Sequence, residues 1–222
     1  MSREDYYFQR LTSWQMALVK EVHLFTQLYW LEGSFPHLCT QPFMQGIEKL
    51  KITIRRGDWW WNESNAPLGI NPKRGNGDSA QMIRDWAAEK EGRLVSWNQS
   101  GWGCAFAKLK GLKELEIELE TSDDKKDELM AIVEKAKGWR FPFGENLVLS
   151  TEGMPISTST WQGPMCYWSD RCPYCGEQRK CKKIEPARKG CEERMRLRAE
   201  EKGPICHVVN LRWKVVSATG GR

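Results

Sequence analysis

Three segments of the chain repeat one pattern, and that repetition limits what the polypeptide can fold into more than any other feature. They are ALVKEVHLFTQ from Ala17, GIEKLKITIRR from Gly46 and GLKELEIELET from Gly111. Each carries an apolar residue, two polar or charged ones, and then an alternation: Val22, Leu24 and Thr26; Leu50, Ile52 and Ile54; Leu115, Ile117 and Leu119. Alternation at period two marks a strand with one face buried. A stretch able to form a helix or turn precedes each one, respectively LTSWQMALVK, QPFMQGIEK and AFAKLKGLK. The repeating unit is therefore helix or turn, then strand.

Val22 and Leu50 lie 28 residues apart, within the roughly 20–29 residue period of leucine-rich repeats. Leu115 follows 65 residues later, which leaves an insertion over residues 57–103. Near the end, CHVVNLRWKVV from Cys206 places Val209, Leu211, Trp213 and Val215 on one face of a final strand over 206–216. Short repeated connections favour parallel strands, because a parallel pair needs a crossover. The expected fold is α/β: leucine-rich-repeat-like helix–strand units, a mainly parallel sheet, and a cysteine-rich, zinc-stabilised C-terminal segment. The alternative is an α+β domain whose strands share a pattern by coincidence. The expected organisation is one domain over 1–222, with repeat-like units at 1–56 and 104–150, a Trp-rich insertion at 57–103 and a Cys-rich basic segment at 160–205. Two amphipathic helices stand out. DSAQMIRDWAAEKEG starts at a capping Asp78 or Ser79, spaces Met82, Ile83, Trp86 and Ala87 helically, and stops at Gly92. SDDKKDELMAIVEKAKGW starts with acids at the positive end of the helix dipole and carries Leu129, Ile132, Val133 and Ala136 on one face.

The cysteines pose the chemical question. RCPYCGEQRKC, from Arg171 to Cys181, is followed by Cys191. CPYC is a redox tetrapeptide in glutaredoxins, but such a frame needs a βαβ unit around the motif, and only 47 residues follow Cys175. A metal knuckle fits better. Cys172 and Cys175 can reach one tetrahedral ion, Gly176 relieves the tight turn, and Cys181 and Cys191 complete a C-x2-C-x5-C-x9-C shell for a structural Zn²⁺. Cys166, Cys206 and His207 are substitute ligands. Unliganded thiols remain an alternative, and disulfides would suit a secreted chain. Cys39 and Cys104, isolated in apolar surroundings, read as core thiols. A closed four-thiolate shell has no open position for water, so the zinc expected here is structural.

The same segment is basic. Between Arg171 and Lys202 eleven Lys and Arg residues outnumber six Glu. Overall the formal charge is only +5, a weak hint of an acidic partner. Arg179, Lys180, Lys182 and Lys183 could meet nucleic acid, with Tyr174 stacking, or form a solvated face. Trp59, Trp60 and Trp61 are consecutive among twelve tryptophans. They either present a stacking platform to a partner or pin the insertion onto the sheet.

The run VHLFTQLYWLE, the stretch LKITIRRGDWWWNESNAPLGINP, LKELEIELET and GPMCYWSDRCPYCG together resemble F-box-like proteins of filamentous fungi. The LPxEIRxxIY and CRxIYxEA helices of that group do not occur here, so the resemblance implies its C-terminal repeat-type or α/β region alone, with no catalytic residues to carry over. The expected function is a non-enzymatic protein-interaction module with a structural zinc. A nucleic-acid-binding protein using the basic segment is the first alternative. An enzyme of unknown class is the second, although His23, His37 and His207 sit in no recognisable nucleophile or metal motif. The partner expected is another protein. No apolar run approaches the ~20 residues of a membrane span, and MSREDYYFQR lacks the layout of a secretory signal. The expected location is intracellular, cytoplasmic or nuclear.

Overall fold

A computed structural model describes residues 11–60, 66–75, 79–93, 101–163 and 202–218. Seven strands form one mixed sheet: β1 (Glu21–Phe25), β2 (Lys49–Ile54), β3 (Glu114–Ser122), β4 (Phe141–Pro142), β5 (Leu147–Ser150), β6 (Ser157–Gln162) and β7 (Ile205–Ser217). The path runs β1-β2-β3-β7-β5-β4, and β6 also pairs with β7.

The three alike segments become three adjacent parallel strands in matching register. Val22 sits beside Leu50, which sits beside Leu115; Ile52 sits beside Ile117, and Ile54 beside Leu119. The apolar half of each alternation thereby forms continuous rows across the sheet. Leu50, Ile52, Ile54, Leu115, Ile117 and Leu119 are all fully buried, each contributing roughly 1.5–3 kcal/mol relative to exposure.

The sheet is not mainly parallel. Only β1–β2 and β2–β3 are parallel, whereas β3–β7, β4–β5, β5–β7 and β6–β7 are antiparallel. The final strand has the expected face, with Trp213 beside Leu115, Leu211 beside Ile117 and Val209 beside Leu119. It runs antiparallel to each strand it pairs with. It lies against β6 and, further along the same edge, against β5. Gly163 N–H donates to Pro204 O at 2.8 Å, clasping the outgoing arm of β6 to the incoming arm of β7.

Helices cover the apolar face. They are α1 (Ser13–Leu18), α2 (Leu28–Gly33), α3 (Phe35–Leu38), α4 (Ser79–Lys90) and α5 (Lys126–Lys137), with 3-10 turns at Pro42–Met44, Trp102–Lys108 and Asp123–Lys125. The helix-capable stretches before β2 and β3 are thus tight 3-10 turns, and only the stretch before β1 makes an α-helix, capped by a Thr12/Gln15 box. α5 buries Leu129, Ile132, Val133 and Ala136, the face anticipated from its spacing. α4 does not follow its apolar pattern: Ile83 is exposed, and among its described side chains the polar Asp85 is buried.

The insertion is not an appendage. Trp102, at its end, is fully buried and packs edge-on to Phe106 and Trp139, whose ring in turn stacks on Trp213 at 6.3 Å. Behind it Arg74 and Glu32 form a fully buried ion pair, at 3.0 and 2.6 Å from Nε and NH2 to the same Oε1, while Arg74 NH1 donates to Glu89 at 3.1 Å. That pair ties the insertion to α2, and Arg74 also holds Glu89 of α4, while Asp85 of α4 accepts from Gly75 N–H at 3.4 Å and from Gln81 Nε2 at 2.6 Å.

Candidate functional site

The polar half of each alternation lies on the other face of the sheet. None of its side chains joins the core cluster, which draws from β1, β2, β3, β5 and β7 only the residues of the helix-covered side. Among the described residues, the helices place their buried apolar side chains on that side as well. The second face is built from His23 and Phe25 of β1, Lys49, Lys51 and Thr53 of β2, Glu114, Glu116, Glu118 and Glu120 of β3, and Asn210 and Arg212 of β7.

Opposite charges face one another across the strands, as cross-strand pairing favours. Lys51 Nζ donates to Glu118 Oε2 at 2.7 Å and lies 3.1 Å from Glu116 Oε1, while Arg212 Nε donates to Glu116 Oε2 at 3.0 Å. With its amide nitrogen turned toward the acids, Asn210 donates to Glu118 Oε2 at 3.0 Å and Glu116 Oε1 at 3.2 Å. Thr53 Oγ1 donates to Glu118 Oε1 at 3.1 Å, so the 2.8 Å contact with His23 is a bond donated by His23 Nε2 to Thr53. The result is a ladder from β1 to β7 in which each polar group is bonded to its neighbour.

Burial and charge set the protonation states. Burial acts to lower the Lys51 pKa, but its bonds to Glu118 and Glu116 outweigh that and hold it above the ordinary lysine value. Burial acts to raise Glu116, yet Lys51 and Arg212 outweigh it and keep the carboxyl below the usual range. His23 is pushed below 6.5 by burial and then by Lys51, against the pull of Glu118 and Glu116. The imidazole is therefore neutral at neutral pH, in keeping with its donor role toward Thr53.

Aromatic and apolar side chains edge this ladder. Phe25 is 50% exposed, with His23 against its ring and the Arg55 guanidinium 4.3 Å above its centre. At the far side Trp161 of β6 is 45% exposed, and its Nε1 donates to Glu120 Oε2 at 3.0 Å. The ladder was not anticipated in the sequence. Its signal was there in the polar positions of the same strands, lysines on KLKITI and glutamates on ELEIELE.

The anticipated partner-facing tryptophans divide. Trp59 is buried, and its Nε1 donates to Glu120 O at 2.8 Å, so it pins the insertion to β3 and has no face left for a partner. Trp60 is half-buried with Tyr29 edge-on at 5.7 Å. Trp61 lies outside the described residues, as do Cys172, Cys175, Cys181, Cys191, Cys166, Arg179, Lys180, Lys182 and Lys183. Cys206 and His207, the spare ligands, are consecutive on β7 and leave it on opposite faces. Cys206 is buried, its thiol pushed up to about 11 chiefly by burial, and His207 Nε2 lies 2.6 Å from Asp123 Oδ1. Cys39 is a core thiol, its pKa raised by burial; Cys104 is only partly buried. Among the described residues no group of three or more His, Cys, Asp and Glu side chains could hold a metal, and no helix is long and apolar enough to cross a membrane.

No family model, no curated protein and no solved structure matches this chain.

Proposed function

We propose that the chain is a non-enzymatic protein-interaction module, with the polar sheet face as its docking surface and a structural zinc in the cysteine-rich segment. The observation that carries this reading is the division of the sheet. One face is consumed by the core, and the other carries a cross-linked row of charges, buried at Thr53 and Glu116 and open toward its ends, between two half-exposed aromatic side chains. Aromatic and arginine side chains dominate binding energy at protein interfaces. A network whose members already satisfy one another suits a rigid recognition surface better than a reaction centre, which needs a nucleophile or acid held ready for a substrate. A sheet with helices on one side and binding on the other is also how leucine-rich repeats work. The alike, parallel β1, β2 and β3 support that likeness, and so does the resemblance to fungal F-box-like proteins.

Zinc is proposed at Cys172, Cys175, Cys181 and Cys191 on the chemistry of the donor set, four thiolates with one two-residue knuckle. Its role would be to order the segment leaving and re-entering the sheet at the Gly163–Pro204 clasp. Elemental analysis of protein purified without added metal should find one zinc per chain, and removing it with a strong chelator should expose four further thiols to a thiol reagent. No metal, and a thiol count unchanged by the chelator, would refute the zinc.

The docking surface is tested by comparing partners cross-linked in extract by the wild-type chain, by F25S/W161S, and by K126E on the helix side. Partners lost only with the double variant support the reading; partners retained by it overturn the assignment of the face. The basic run Arg179, Lys180, Lys182 and Lys183 supports nucleic-acid binding as a second reading. It requires affinity for an oligonucleotide that falls steeply with salt, and absence of binding at low salt removes it.

A further inference from the structure

On the helix side, away from the polar sheet face, a cleft of about 460 Å³ opens between three parts of the chain. The segment 68–73 forms one wall, Glu89 of α4 a second, and Ile132, Lys135 and Trp139 at and beyond the end of α5 the third. The volume falls within the ~300–1,000 Å³ of small-molecule sites. It could not close by simple collapse, because its walls are braced from behind. Trp102 Nε1 donates to Asn71 O at 3.0 Å, Gly103 N to Pro72 O at 2.9 Å, and Leu68 N to Glu128 Oε2 at 2.6 Å. Trp139 is held by its stack on Trp213 and by accepting the Trp213 Nε1 bond at 3.1 Å. Ile70 and Ile132, both nearly buried, supply an apolar floor.

Among the charged side chains lining the cleft, Glu89 is engaged by Arg74, which it shares with the buried Glu32. Lys135 makes no ion pair with any described carboxylate, and Lys73 lines the same cleft. We propose that this cleft binds a small, flat apolar molecule carrying one anionic group, its ring against Trp139 and its charge at Lys135. Burying a carboxylate there without a cation would be costly, whereas beside an unpaired ammonium it is charge-assisted. Gly69 lines the cleft outside the left-handed backbone region, and a Cβ built on it meets no heavy atom within 4 Å. A larger side chain at this position therefore displaces no packed atom, and it extends from a residue that lines the cleft.

The test uses the full chain with 2-naphthoate and its neutral isostere 2-naphthamide, measured by titration calorimetry. The naphthoate should bind at least about tenfold more tightly than the amide, a difference of about 1.4 kcal/mol. Lys135→Met should erase that preference. Gly69→Leu should weaken both probes about tenfold or more with an unchanged melting temperature. No binding of either probe, or equal binding to the wild type and to Gly69→Leu, overturns the cleft as a site. Equal affinity for the two probes overturns the anion preference. Neither result touches the sheet-face reading, whose F25S/W161S variant lies on the opposite side.

Discussion

Arg74 is a guanidinium that no water reaches: its side chain is 2% exposed and its partner Glu32 is 1% exposed. Burial lifts the Glu32 carboxyl above the usual range, while Arg74 pulls the other way. Removing one member strands the other charge, so Arg74→Met should destabilise by about 3–5 kcal/mol in urea unfolding. The paired change Glu32→Leu with Arg74→Met should cost less than the two single changes summed. Next to it Gly75 has φ +127°, and a Cβ there would lie 2.7 Å from Glu32 O. Gly75→Ala should consequently destabilise as well, through backbone strain and collision together. Little of this cluster was legible in the sequence. Glu32 and Arg74 are 42 residues apart, and nothing local distinguishes them from surface charges. Asp85 escaped for the same reason, since helical spacing of apolar residues cannot report its bond from Gly75 N–H, a residue outside the helix.

β3 is the element on which both halves of the architecture turn, because its odd-numbered residues fill the core while its glutamates carry the charge ladder. Lys51→Met leaves Glu116 and Glu118 to repel each other, with Arg212 and Asn210 as remaining partners, and should cost about 1–3 kcal/mol at neutral pH. Glu116 has a folded pKa held below its unfolded value. The stability it contributes is present above the unfolded value and is lost as pH falls through the folded one. The difference between wild type and Lys51→Met should therefore shrink below about pH 4, which urea midpoints across pH 3–7 would show. His23 adds an earlier slope. Its depressed pKa means that stability begins to fall as pH drops below 6.5, and His23→Gln should remove that portion. The parallel strands were legible because each turns one face to the core, wholly buried in β2 and β3 and partly in β1, so period two survives in the residues. β6 was not, because STSTWQ is exposed along its length and has no burial to imprint a pattern. β4 was hidden by its brevity, two residues including Pro142.

Across the whole molecule, one aromatic assembly within a largely aliphatic core bridges regions distant in the chain: Phe35, Trp102, Phe106, Trp139, Phe141 and Trp213. Trp102→Ala should cost about 3–5 kcal/mol and melt insertion and sheet together rather than stepwise. A calorimetric trace with one transition checks this. The sheet's overall direction escaped the sequence because the choice between parallel and antiparallel for β7 depends on what precedes it, and a strand's own alternation is the same either way. The candidate face was half legible, since alternation identified its residues as solvent-side without saying that their charges interlock.

The hydrogen bond from Gly163 to Pro204 makes the sheet indifferent to what is threaded between those residues. Departure and return are already fastened side by side, and lengthening such a detour adds little entropic penalty. Over generations, cargo could be inserted, exchanged or discarded at that doorway while the surrounding strands kept their hydrogen bonds, so the scaffold and whatever it carries there can diverge at separate rates.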